Sequence, residues 1–184
     1  MFDAMEKISA LCHRHRMYRF LCFLFLVSAC DVRGAPVNEP GFTASARALD
    51  GDTIAADFRL LGVDAFERRQ LCERARSCWE CGKAAQDHAA RILGEADAQI
   101  RLTNRSSYGR PVATVTVKGR DLGETLIRAG LAIPQPQFLK TDPARAKQYT
   151  EAFAAAQRNK AGAFAGQWIE PARWRRGDRL ACER

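Results

Sequence analysis

The stretch that decides the fold runs from Asp50 to Glu67 and reads DGDTIAADFRLLGVDAFE. Residues that favour strands lie on both sides of its middle, which predicts a β-hairpin. Such a hairpin would bring Asp52 and Asp64 to the same end. Carboxylates that meet at a strand end suit Ca²⁺ or Mg²⁺ better than zinc. The alternative interpretation is an Asp-Gly-Asp tight turn followed by solvated acidic residues.

Length and charge set broad limits on the protein. The chain has 184 residues, enough for one domain with a core and a leader or tail. Its formal charge of +8 comes mostly from arginine, whose guanidinium fork can bond two phosphate oxygens at once. A basic surface also serves solubility, so the charge alone points only weakly to nucleic acid.

The N-terminus has the pattern of an export signal. A basic segment, residues 13–19, precedes ten apolar residues, which are too few to span a bilayer but suit a signal peptide over residues 1–29. The run ends in VSAC, which resembles the lipobox of bacterial lipoproteins and predicts a lipid on Cys30. Residues 30–41 would then be a tether. We expect an exported, membrane-anchored lipoprotein facing the periplasm or cell exterior; ordinary cleavage after Ala29, giving a secreted soluble protein, is the alternative.

Four cysteines remain after the leader is removed and Cys30 is lipidated: Cys72, Cys78, Cys81 and Cys182. An even number in an exported protein predicts two disulfide bonds. A four-cysteine zinc site is the alternative, although its ligands usually come as two close pairs. Spacing leaves all three pairings open; we take Cys72–Cys81 with Cys78–Cys182 as a working hypothesis.

The remaining patterns predict a small α+β domain. We expect strands over residues 42–49, 53–56, 58–63, 99–104 and 110–117, with a polar loop over 67–80. Helices are expected over residues 83–93, from Asp121 to Gly130, and from Asp142 onward. Trp168 and Trp174 are expected to cover the core. Five short strands with three helices indicate an OB-fold, a five-stranded β-barrel.

The available side chains limit the chemistry. After the leader, the only histidine is His88, which lies in a predicted helix and is expected at the surface. This excludes a Ser-His-Asp triad and paired-histidine chemistry. Carboxylates, a metal ion and arginines suffice for phosphodiester hydrolysis, because they can activate water and neutralise charge on the phosphate.

Three separated motifs carry a family resemblance. Residues 50–53 (DGDT), 59–67 (RLLGVDAFE) and 108–110 (YGR) look like motifs of the staphylococcal nuclease family, in the same order. Residues 126–132 (LIRAGLA) are similar to that family's second helix and its exit. The resemblance spans residues 42–175 and leaves 176–184 as a basic C-terminal tail.

The resemblance implies a monomeric, calcium-dependent nuclease that cleaves single-stranded DNA and RNA and leaves 3′-phosphates. The implied Ca²⁺ ligands are Asp52, Asp64 and the backbone carbonyl of Ala65. The implied catalytic and substrate-binding residues are Glu67 as general base or water-orienting group, Arg59 and Arg110 on the phosphate, and Tyr108 near the nucleotide. The alternative is a non-catalytic, membrane-tethered OB-fold module that binds single strands.

Some positions depart from the family pattern. Phe66 replaces the family's usual proline, and residues 133–138 lack the tyrosines that the staphylococcal enzyme places near the base. The hairpin between Asp52 and Arg59 is also shorter than usual. Arg59 and Asp64 are five residues apart, so an ideal strand would point them to opposite faces. The resemblance therefore requires a bend or bulge between them.

Overall fold

A computed structural model describes residues 41–183 of the protein. The expected leader and lipidation site, and almost all of the expected tether, lie outside these residues. Within 41–183, no helix combines the length and the apolar character needed to cross a bilayer.

The described chain forms ten short strands and four α-helices. The strands are β1 (Ala46–Ala48), β2 (Ile54–Ala56), β3 (Arg59–Leu60), β4 (Val63–Ala65), β5 (Cys72–Arg74), β6 (Ser77–Trp79), β7 (Ala98–Ser107), β8 (Arg110–Val117), β9 (Arg120–Asp121) and β10 (Ala132–Pro134). The helices are α1 (Cys81–Leu93), α2 (Leu122–Arg128), α3 (Pro143–Arg158) and α4 (Pro171–Arg175). Single 3₁₀ turns cover Pro136–Phe138, Gly162–Ala165 and Ala181–Glu183.

The strands are arranged in four sheets. The largest has the order β3-β8-β7, with β9 added to β8, and its β3–β8 pair is parallel. The other three sheets are the antiparallel pairs β1–β2, β4–β10 and β5–β6. The α+β class is confirmed and is consistent with an OB-fold, although strand pairing over residues 41–183 does not close a barrel.

Several strand predictions need correction. The segment 58–63 is two strands rather than one, because the chain turns at Leu61–Gly62. The first strand is confined to Ala46–Ala48. The predicted loop 67–80 contains the β5–β6 hairpin, whose turn residues Ala75 and Arg76 both have positive φ. No glycine marks that turn, so the sequence gives no turn signal there.

Helices α2 and α3 are capped as expected. The Asp121 side chain accepts a hydrogen bond from the Glu124 backbone N–H at 2.8 Å, and Asp142 accepts one from the Arg145 N–H at 3.0 Å. The inner face of α3 buries Tyr149, which packs with α2 in the main core. Helix α1 begins at Cys81, and its His88 is half-buried rather than at the surface.

A second, smaller core forms around a disulfide bond. Cys72 and Cys81 are bonded and fully buried, next to Phe66 and the partly buried Trp168. The other bond joins Cys78 to Cys182, so the working hypothesis for the pairing is confirmed. This second bond attaches the basic segment after residue 175 to β6.

Candidate functional site

A turn between β3 and β4 brings two predicted site residues, Arg59 and Asp64, together. Gly62 has φ +69° in this turn, and its α-carbon lies so close to Leu139 that a Cβ would be 2.6 Å from that side chain. The turn places Arg59 Nη2 at 3.5 Å from Asp64 Oδ1. The bend that the resemblance required is therefore present. Asp64 is only 6% exposed, and its strand β4 is paired with β10.

Glu67 follows β4 and is held in place through its backbone. Its N–H donates to Oε1 of Gln70 at 3.1 Å, and Nε2 of Gln70 donates to the Ile169 carbonyl at 2.6 Å. Gln70 is completely buried. Phe66, the residue that replaces the family's proline, is 3% exposed, and its ring centroid is 5.9 Å from that of Trp168. The loop is thus fixed by a buried phenyl ring and a buried amide.

Arg175 joins this site from the far end of the chain. Its Nη1 and Nη2 donate to Oδ1 and Oδ2 of Asp64 at 3.0 and 2.9 Å. The same Nη1 lies 2.6 Å from Oε1 of Glu67. The hydrogen bond to Asp64, followed by that to Glu67, raises the pKa of Arg175 above its usual value. Sequence reasoning missed this residue, because one arginine in a basic segment gives no local signal.

A cleft of about 300 Å³ opens beside these charges and is lined by Arg59, Asp64, Arg175 and residues of two loops. One loop is the β7–β8 turn, where Tyr108 is 89% exposed and its ring centroid lies 6.0 Å from the Arg59 guanidinium carbon. The other carries Phe138, which is 47% exposed. Exposed rings beside guanidinium groups suit a single-stranded nucleic acid, whose bases can stack and whose phosphates can pair.

Asp52 and Arg110 make no hydrogen bond, ion pair or ring contact with this group in the described part of the chain. Asp52 is exposed in the turn where Asp50 Oδ1 accepts from the Thr53 N–H at 2.8 Å. The tight-turn interpretation therefore describes Asp50 to Thr53 well, whereas Asp64 is buried. Arg110 begins β8, where it pairs in register with Ser107, a residue of the cleft wall.

The described donor groups do not fit a Ca²⁺ ion as they are arranged. Across residues 41–183, no group of three or more acidic, histidine or cysteine side chains is placed to hold a metal. Both oxygens of Asp64 already accept hydrogen bonds from Arg175. The ligand set of Asp52, Asp64 and the Ala65 carbonyl therefore stays a prediction.

A comparison with protein families identifies a relative of this chain. The family model described as staphylococcal nuclease homologue matches residues 57–165, more than half of the chain. No curated protein matches the sequence. The matched range contains Arg59, Asp64, Glu67 and Tyr108, and it ends before α4, so Arg175 lies outside it.

Proposed function

This chain belongs to the family of staphylococcal nuclease homologues, and from that premise we propose that it is a nuclease acting on single-stranded DNA and RNA. Family membership indicates a nuclease or a nucleic-acid-binding module. One observation supports hydrolysis over binding alone: the cleft that holds Arg59 also holds the buried carboxylate of Asp64, with Glu67 next to it. In a protein that only binds phosphate, acidic groups at this place would weaken binding unless cations paired with them.

The proposed chemistry follows from the charge of the substrate. Attack of water on a phosphodiester increases negative charge on the phosphate oxygens, so cations placed beside them lower the barrier. Arg59, which lines the cleft, and Arg110, which follows the turn that carries Tyr108, are the proposed cations. Glu67 takes a proton from the attacking water or orients it. The expected product is a 3′-phosphate, as in the family that the motifs resemble.

The cleft favours unpaired bases as substrates. Tyr108 and Phe138 offer exposed rings for stacking, which only a base free of its partner strand can use. Phe138 lies in the segment that lacks the staphylococcal tyrosines, and it is the aromatic side chain that this segment does contribute. Stacking tolerates every base, so we propose little discrimination between sequences.

Calcium dependence is typical of the family, and we propose it for this chain. Carboxylate and carbonyl oxygens are suitable Ca²⁺ ligands, and Asp52, Asp64 and the Ala65 carbonyl are the candidates. Asp64 and Glu67 are bonded to Arg175, so a Ca²⁺ ion would have to displace that guanidinium to bind Asp64 through both oxygens.

A second candidate function is a non-catalytic module that binds single strands. The observation that favours it is the pairing of Asp64 and Glu67 with Arg175, which removes the repulsion between these carboxylates and a phosphate. In this alternative the carboxylates serve only to fix a guanidinium in the cleft.

Cleavage of labelled single-stranded DNA by the purified, oxidised chain distinguishes the two functions. We expect cleavage with Ca²⁺, loss of cleavage with a chelator, and products that end in 3′-phosphate. Glu67→Gln should lower the rate at least about 100-fold, whereas Glu151→Gln, an exposed change on α3, should leave it unaltered. Binding without cleavage in Ca²⁺, Mg²⁺ and Mn²⁺ would establish the module instead. Wild-type turnover by folded Arg110→Ala protein would remove Arg110 from the mechanism.

We also propose that the chain is exported, anchored through a lipid on Cys30, and monomeric. The two disulfide bonds support export, because such bonds persist in oxidising compartments. Acyl labelling that survives Cys30→Ala would contradict the lipid anchor, and light scattering of the purified chain would test the monomer.

A further inference from the structure

We propose that Arg175 is the resident cation of the cleft, and that it competes with a divalent metal ion for the carboxylates of Asp64 and Glu67. The guanidinium lies between Asp64, which is one of the predicted metal ligands, and the neighbouring Glu67. The inference deepens the proposed nuclease function, but metal binding can be measured whether or not the protein cleaves DNA.

The contacts occupy both oxygens of Asp64 and one oxygen of Glu67. Arg175 bonds both oxygens of Asp64 in a fork and reaches Oε1 of Glu67 with the same Nη1. Arg59 adds a further contact with Oδ1 of Asp64. A planar guanidinium matches a carboxylate in this two-bond arrangement better than a lysine ammonium can. A metal ion can bind Asp64 through both oxygens only after Arg175 has withdrawn.

Charge balance works in the same direction. The two carboxylates contribute two negative charges, and Arg175 with Arg59 contributes two positive charges. An approaching Ca²⁺ therefore meets a locally neutral group, whereas removal of Arg175 would leave a net negative charge beside a buried carboxylate. Arg59, at 3.5 Å, would then be the described cation beside Asp64, and because a buried charge with too little compensation is unfavourable, that state should bind a further cation strongly.

The segment that carries Arg175 is attached on both sides. Before α4, the Ile169 carbonyl accepts a hydrogen bond from the buried Gln70. After α4, Glu183 Oε2 accepts a hydrogen bond from Trp174 Nε1 of the helix at 3.1 Å, and Cys182 is bonded to Cys78. Pro171, the first residue of α4, is buried. Arg175 is therefore presented by a fixed segment rather than by a loose tail.

Titration calorimetry with Ca²⁺ on the full, oxidised chain tests the competition. We expect Arg175→Gln to bind Ca²⁺ about tenfold more tightly or better than the wild type. Arg173→Gln is the matched control, since Arg173 lies on the same helix and pairs with Asp178 instead of the site. It should behave as the wild type does. Adding Asp64→Asn to Arg175→Gln should abolish the gained binding.

Two results would overturn the proposal. One is an equal Ca²⁺ affinity for wild type and folded Arg175→Gln; the other is a gain that persists in the variant that also carries Asp64→Asn. If Arg175→Gln does not fold, Arg175→Lys takes its place, because it keeps the charge and loses the fork. An intermediate gain supports the competition, and an unchanged affinity refutes it. A protein that gains Ca²⁺ binding but never cleaves DNA would refute the nuclease function and leave this inference standing.

Discussion

Arg59 and Asp64 face each other across the turn between β3 and β4, with Nη2 of Arg59 3.5 Å from Oδ1 of Asp64. A continuous strand would have separated them, since five residues put two side chains on opposite faces. Gly62 makes the contact possible, because its φ of +69° turns the chain between β3 and β4. The approach of cation and carboxylate in this cleft thus depends on one glycine.

Gly62→Ala should be among the most damaging single changes. A left-handed φ costs a residue with a Cβ about 1–2 kcal/mol. The added methyl group would also meet the buried Leu139, and such overpacking costs about 1–3 kcal/mol more. Equilibrium unfolding in urea should show that the free energy of unfolding falls by the sum of the backbone cost and the overpacking cost.

Gly119→Ala is the control for that experiment. Gly119 has φ +74°, but apart from its own neighbours in the chain no heavy atom lies within 4 Å of where its Cβ would be. It should therefore show the backbone cost alone, about 1–2 kcal/mol. If both variants lost the same free energy of unfolding, contact with Leu139 would not restrict the residue at position 62.

Tyr108 should contribute to substrate binding and little to stability. The residue is 89% exposed, and its ring faces the guanidinium of Arg59. Stacking on one base contributes about 1–3 kcal/mol, so Tyr108→Ala should weaken single-strand binding roughly 5- to 150-fold. Fluorescence anisotropy with a labelled oligonucleotide measures this whether or not cleavage occurs.

Tyr108→Phe keeps the ring and should bind nearly as the wild type does. Both variants should unfold at the wild-type urea concentration, because little of the side chain is buried. Unaltered binding by Tyr108→Ala would place the nucleotide elsewhere.

Local sequence patterns predicted the parts of this structure that local interactions determine. The caps of α2 and α3 follow from Asp121 and Asp142, whose side chains bond N–H groups only three residues away. The cleft residues Arg59, Asp64 and Glu67 lie close together in the chain, so a motif could carry them. The bend between Arg59 and Asp64 could be predicted only from the family resemblance, because the residue spacing alone would put them on opposite faces.

Long-range pairing accounts for what the sequence did not predict. Arg175 and Asp64 are 111 residues apart, and no periodicity links them. Gln70 is a polar residue in a polar segment, yet it is fully buried, because both the Glu67 N–H and the Ile169 carbonyl need its amide. Strand β10 is only three residues long and ends in Pro134, so its identity as a strand depends on its pairing with β4.

The bond between Cys78 and Cys182 should be a major source of stability. It joins residues separated by 104 positions, and a loop of about 100 residues is expected to yield about 4–5 kcal/mol in the chain-entropy account. The variant with Cys78→Ser and Cys182→Ser together avoids a free thiol and should lose a large part of this. Urea unfolding without reductant gives the difference.

A reducing agent supplies the comparison for that variant. Dithiothreitol should lower the stability of the wild type by more than that of the double variant, which retains one of the two described bonds, Cys72–Cys81. A double variant as stable as the wild type would show that the C-terminal segment is held by its noncovalent contacts.

Asp142 should make the stability of the domain depend on pH. Its carboxylate accepts hydrogen bonds from the N–H and Nε of Arg145, and the backbone bond is the leading cause that lowers the pKa of Asp142 below its ordinary 3.8. Because folding lowers this pKa, the stabilisation is complete above the unfolded value and is lost as pH falls through the folded value.

Asp142→Ala should cost about 1 kcal/mol near neutral pH, where the charged cap is intact. Asp142→Asn keeps an acceptor that does not titrate, so urea unfolding should show the wild type's advantage over it shrinking as the pH is lowered below 3.8. An advantage that stays constant across that range would mean that the cap stabilises α3 through its geometry and not through its charge.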